Sequence, residues 1–193
     1  MALVYVFMAN GFEEMETVIT VDILRRAHIE VKTVSILDNY LQVMGSRGIP
    51  IVPDLSISEL NLNECDMIVL PGGIEGTRNL GASEIVINAV KTMYEAKKYV
   101  AAICAAPSVL VKAGIMKDRM ATCHPAAQEY MKGTKFSKHR VVVDENIVTS
   151  RAAGTTFEFA FKLVGLLTSA ERIKEVNKGV LAILPEELPE LMS

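Results

Sequence analysis

The 193-residue chain is long enough to bury a substantial core, and we expect one domain over 1–193. Its formal net charge of -3, with 22% charged residues and no basic block, argues against a nucleic-acid surface. Cys65, Cys104 and Cys123 form neither an even secreted framework nor a paired zinc spacing, so we expect no metal and a reducing compartment, most simply the cytoplasm.

The N-terminal apolar run lacks preceding basic residues and breaks at Asn10-Gly11, far short of a membrane span. It predicts a buried strand over Leu3–Met8. Met15, Val18, Ile19 and Ile23 recur at helical spacing and predict a helix over Glu14–Ala27. A strand follows at Val31–Ile36. Short runs at Leu41–Val43 and Ile49–Val52 flank the turn-prone Gly45-Ser46-Arg47-Gly48, which predicts a small antiparallel pair outside the main sheet. Further strands are expected at Met67–Leu70, Val100–Ile103 and Ile147–Thr149, with helices over Glu84–Lys97 and Thr156–Leu167. The tail Leu184–Ser193 reads as a short helix or a frayed end. Such alternation implies an α/β fold with a parallel sheet and helices on both faces, and no membrane segment.

Four segments could carry chemistry. In Tyr99-Val-Ala-Ala-Ile-Cys104-Ala-Ala-Pro107 a cysteine lies between a strand and a helix opening near Pro107. There the helix N-terminus would favour a thiolate, although the pattern equally fits a buried core cysteine. Pro71-Gly72-Gly73 ends another strand, leaving N–H groups that could face an anionic oxygen together with the amide of Ala105, or making an ordinary turn. Glu16 lies one turn inside the first helix, on its solvated face or aimed at the Cys104 sulfur; beside a thiolate it should be protonated, with a raised pKa. His124, in Thr122-Cys-His-Pro125, is the best placed of three histidines to act as a base, whereas His28 and His139 have simple structural explanations. Arg47 and Arg151 stand in loops, either solvated or available to an anion. No Walker loop, metal-ligand pattern or dinucleotide fingerprint is present, so no cofactor is expected.

Five ordered segments, Gly11-Phe-Glu-Glu-Met-Glu-Thr17, Leu70-Pro-Gly-Gly73, Ala101-Ala-Ile-Cys-Ala105, Thr122-Cys-His-Pro125 and Thr149-Ser-Arg151, together resemble the ThiJ/PfpI superfamily, in the branch of the human Parkinsonism-associated deglycase. The resemblance implies a flavodoxin-like three-layer sandwich, a homodimer, and a nucleophile-elbow cysteine at Cys104. It matches Glu16 to the carboxylate that contacts that sulfur and His124 to the nearby histidine. Gly73 and Ala105 match backbone anion-binding positions, and Arg47 and Arg151 match arginines around the pocket. Two departures are that Ala106 replaces a glycine, which would narrow the pocket, and that Val52 replaces a cysteine near the subunit contact.

The expected function is a cofactor-independent glyoxalase acting on a small reactive aldehyde, methylglyoxal or glyoxal, with possible activity on glycated protein. A redox sensor or redox-regulated chaperone working through Cys104 oxidation is the alternative. A cysteine peptidase or amidotransferase-like hydrolase ranks below both, because no carboxylate in the short Thr122–Pro125 segment orients His124.

Overall fold

A computed structural model describes residues 1–37 and 42–183 of the protein. Strand β1 (Leu3–Met8) is central in the sheet, which explains an apolar run without alternation. Helix α1 (Glu14–Arg26) begins at Glu13, whose carboxylate accepts the Glu16 backbone N–H at 2.7 Å. There follow β2 (Glu30–Ser35), the short β3 (Val43–Met44), β4 (Pro50–Ile51) and β5 (Leu55–Ser56), then β6 (Met67–Leu70). Helices α2 (Ile74–Ala82) and α3 (Glu84–Glu95) precede β7 (Tyr99–Ile103) and α4 (Pro107–Lys112). The chain continues through β8 (Met120–Ala121), β9 (Lys135–Phe136), β10 (Val141–Asp144) and β11 (Ile147–Ser150) to α5 (Thr156–Leu167) and α6 (Ala170–Val180).

The main sheet has seven strands in the order β10-β11-β7-β6-β1-β2-β5, and only the β10–β11 pair is antiparallel. Side chains alternate between two apolar layers. Tyr5, Phe7, Ile68, Leu70 and Val100 face Leu80, Val90, Met93 and Leu110 of α2, α3 and α4. Val4, Val6, Val69, Ala101 and Ile103 face Ile23 and Leu24 of α1 and Phe159 and Phe161 of α5. The result is the expected three-layer α/β sandwich, each buried aliphatic or aromatic side chain contributing roughly 1.5–3 kcal/mol before entropy is counted.

β3 and β4 pair antiparallel outside the main sheet, as their turn-flanked sequence predicts; Leu41 and the tail from Leu184 to Ser193 lie outside the described residues. Sequence periodicity missed α2, α6 and β10. Helix α2 reads IEGTRNLGA, where two glycines dilute the helical signal, and it forms because Leu80 and the buried Gly76 pack against the core and the loop after β1. In α1, Met15 and Val18 are 53% and 50% exposed, while Glu14, Glu16, Thr17 and Thr20 are buried. The first turns of α1 therefore turn polar groups inward, toward the partners described next. No described helix is long and apolar enough to cross a membrane.

Candidate active site

The carboxyl ends of β1, β6 and β7 meet where the strand order reverses: β1 leads outward to β2, and the later strands build on its other side. Cys104 follows β7 directly with φ 66°, a left-handed conformation that a non-glycine residue adopts at a cost of roughly 1–2 kcal/mol. Two bonds hold the turn. The Cys104 N–H donates to the Ser150 carbonyl at 3.0 Å, and the Cys104 carbonyl accepts the His124 N–H at 2.8 Å. Pro107 then opens α4, its fixed φ suiting the first helical position.

Glu16 reaches the sulfur from α1. Its side chain is buried, its Oε2 accepts the Gly72 N–H at 2.7 Å, and its Oε1 has no partner of its own. Gly72 makes this approach possible: a Cβ there would lie 2.6 Å from the Cys104 Cβ and 2.8 Å from Glu16 Oε2. Of the N–H groups that could face an anionic oxygen of a ligand, that of Gly72 is spent on Glu16. The backbone groups of Gly73 and Ala105 do face the Cys104 sulfur, which is half-buried.

Burial pushes the Glu16 carboxyl up to about 7; the Gly72 N–H and the Cys104 side chain oppose that displacement, and Glu13 adds to it. The upward direction is the one expected from sequence. The thiol moves against expectation. Burial first, then the charge of and hydrogen bond to Glu16, push Cys104 up to about 12, and the Gly73 and Ala105 backbone groups only partly offset this. Helix α4, six residues long, does not outweigh a buried carboxylate at the sulfur. Glu16 and Cys104 accordingly titrate as a pair, and the ionised carboxylate is the group placed to receive the thiol proton.

A cavity of about 1010 Å³ opens over Cys104, with Gly73, Ala105, His124 and Arg47 in its wall. His124 Nδ1 accepts the Ala126 N–H at 3.1 Å, which places the ring proton of the neutral imidazole on Nε2 and makes that atom a donor. Among the described residues no carboxylate bonds to the His124 ring. Arg47 is set by Glu14, a buried carboxylate that accepts the Arg47 N–H and, at 2.9 Å, the Ser46 hydroxyl, clamping the β3–β4 turn to α1. Desolvation opposes its ionisation, yet the Arg47 N–H, its own N–H, the Ser46 hydroxyl and the Ile49 N–H together hold its pKa below the usual range.

The Arg151 guanidinium donates to the Lys138 carbonyl at 3.4 Å, acts electrostatically on the buried Cys123 thiol, and does not line the cavity over Cys104. Ala106 is fully buried in the layer beneath α4, so its methyl does not narrow the cavity. Cys65 and Cys123 are buried free thiols; Cys65 donates to the Met67 carbonyl at 3.0 Å and Cys123 to that of His124 at 3.3 Å. Among the described residues, no group of His, Cys, Asp or Glu is arranged to hold a metal ion. The sequence reading missed Ile74, Thr77 and Ser108 in the cavity wall. Ile74 and Thr77 follow Gly72-Gly73 at helical spacing, a signal that a helix beginning there would have supplied.

A model of the DJ-1/PfpI family matches residues 2–166. The crystal structure of Drosophila melanogaster DJ-1beta superposes with a TM-score of 0.91 at 36% identity, covering 95% of this chain and 99% of that one. Protein DJ-1 homolog B of Arabidopsis thaliana is 38% identical over 175 residues, 90% of this chain but 40% of that longer protein. A Caenorhabditis elegans protein named glutathione-independent glyoxalase DJR-1.2 is 32% identical over 168 residues, covering 86% of this chain and 88% of that protein.

Proposed function

Because the chain belongs to the DJ-1/PfpI family, we propose that it is a cofactor-independent glyoxalase that converts methylglyoxal to lactate at Cys104, and that it works as a homodimer. The observation that carries this reading is the contact between a thiol held at φ 66° and a buried carboxyl whose pKa is about 7, beneath an open cavity.

Sulfur adds to the aldehyde carbon as ionised Glu16 takes the thiol proton, giving a hemithioacetal. The Gly73 and Ala105 N–H groups, with the Nε2–H of His124, stabilise its oxygen. Glu16 hands the thiol proton to that oxygen and, ionised again, moves the carbon-bound proton from the former aldehyde carbon to the neighbouring ketone carbon through an enediol, while the hydroxyl proton passes to the ketone oxygen. The first carbon is thereby oxidised to a thioester and the second reduced to an alcohol, so no external oxidant is needed. Water cleaves the thioester, releasing lactate and restoring the thiol. The name of the Caenorhabditis elegans relative supports a small aldehyde as substrate; action on glycated protein would use the same addition.

The test is lactate formed by freshly reduced protein over many turnovers, beside Cys104→Ala. We expect turnover that rises with pH through about 7 as Glu16 ionises and that vanishes in the variant. Glu16→Gln should lower kcat/KM by about 10²–10⁴-fold. Lactate at the variant's background would reject the reading. The Glu16 contact would then favour the second one, a peroxide sensor in which protonated Glu16 donates to a sulfinate on Cys104, measured by mass spectrometry after peroxide titration.

A further inference from the structure

The cavity is far larger than a three-carbon aldehyde requires. At about 1010 Å³ it lies at the top of the roughly 300–1,000 Å³ range of sites that enclose drug-sized ligands. From Cys104 it runs between α2 and α4 as far as Gly81, where an added Cβ would meet Val109 Cγ2 at 3.8 Å and Lys112 Cδ at 3.9 Å. The wall changes character along this path. Near Cys104 it carries the backbone N–H groups and Glu75, which sits against Gly11. At the far end it carries Arg78 and Lys112, both exposed and neither in an ion pair among the described residues.

Along α2 and α4 the wall carries Val109, Val111 and the buried Thr77, whose hydroxyl is enclosed and does not open on the groove. Pro107 and Lys112 are the first and last residues of α4, so helical rise carries this wall roughly 7–8 Å from the Cys104 turn to the cation. A substrate filling that length places its reacting carbonyl at one end and an anion at the other.

We propose that the groove between α2 and α4 binds the tail of a longer 2-oxoaldehyde, an aliphatic chain ending in a carboxylate, with the carboxylate held by Arg78 and Lys112. This rests on the aldehyde chemistry proposed for Cys104. It makes methylglyoxal a small member of the substrate class and assigns selectivity to residues outside the reacting centre.

The test compares kcat/KM for methylglyoxal, 2-oxooctanal and 7,8-dioxooctanoate in the wild type and in an Arg78→Gln/Lys112→Gln double variant. We expect the carboxylated substrate to exceed 2-oxooctanal by about tenfold, the scale of one hydrogen bond to a charged group. The double variant should lose that preference while turning over methylglyoxal at the wild-type rate. Equal treatment of the two long substrates, or a preference that survives the double substitution, overturns the proposal. If no aldehyde is turned over, the chemistry has failed, and the groove is judged separately by octanedioate and the alkylation of Cys104 with iodoacetamide. Protection in the wild type but not in the double variant keeps the groove as an anion-terminated ligand site; no protection, or equal protection, rejects it.

Discussion

Glu16 sits 1% exposed with one carboxyl oxygen on the Gly72 N–H and the other unpaired, so folding must take a carboxyl group out of water for incomplete compensation. The protein responds by keeping the proton. Its pKa moves from 4.5 to about 7, chiefly through burial. Below pH 4.5 the folded and unfolded chains both hold that proton, and the favourable contribution is fully present. Between there and about 7 the unfolded chain has lost a proton that the folded chain retains, so stability falls as pH rises and the contribution is gone above 7. Summed over the window this amounts to about 3 kcal/mol. Urea unfolding at pH 5 and 8 should show wild-type protein losing most of that amount relative to Glu16→Gln, whose side chain does not titrate; parallel pH dependence in the two proteins would sink the assignment. The carboxyl's upward displacement was legible from the placement of an acidic residue one turn into a helix that begins at the sheet's carboxyl edge. The thiol's was not. A helix N-terminus is visible in sequence, whereas the depth at which sulfur and carboxyl are buried together depends on Gly72, a residue from a third segment.

The strand–turn–helix unit of β7, Cys104 and α4 shows which part of an element local sequence specifies. Val100–Ile103 is a short apolar run and Pro107 a helix opener, so both boundaries could be placed, and the turn between them had to be sharp. Its left-handed backbone is imposed by β11 and the His124 segment, which bond the two sides of Cys104. This predicts that Cys104→Gly is more stable than Cys104→Ala, since glycine relieves roughly 1–2 kcal/mol of strain while adding roughly 0.4–1 kcal/mol of unfolded-chain entropy. Thermal or urea unfolding of the two variants should separate them by up to about 1.6 kcal/mol in favour of glycine, and alanine above glycine would mean that the turn is unstrained. Helix α2 illustrates the opposite case. Gly76 is required because an added Cβ would lie 2.7 Å from the Phe12 backbone nitrogen, so the residue that weakens the helical pattern is the one that lets the helix dock. Tertiary contact overrides propensity there, and the groove that α2 lines was hidden from sequence for the same reason.

At the scale of the whole molecule, one group of exposed apolar side chains lies on α1 and around the β3–β4 pair. Met15 and Val18 project from α1, and Ile49 and Val52, 55% and 73% exposed, stand on and just beyond the β3–β4 pair that Glu14 ties to the same helix. Val18, Ile51 and Val52 also border a second cavity, of about 270 Å³, with Arg25 and Asp54 at its edge. A contiguous apolar surface rimmed by charge is how soluble proteins present an interface. The spacing of Met15, Val18, Ile19 and Ile23 was readable as an amphipathic face, but periodicity reports that a face is apolar without reporting what covers it; Ile23 meets the core, and Met15 and Val18 stay exposed in the single chain. A second copy of the chain fits the homodimer proposed above, and it ties assembly to chemistry, because α1 carries both the exposed Met15 and the buried Glu16. Val18→Asp/Val52→Asp should therefore yield a monomer by sedimentation equilibrium and, with Cys104 intact, a reduced rate of lactate formation. A wild type that is already monomeric at micromolar concentration, or a double variant that still dimerises, would show that this face serves another purpose. A monomer with undiminished activity would separate the two roles of α1, leaving the Glu16–Cys104 contact self-sufficient within one chain.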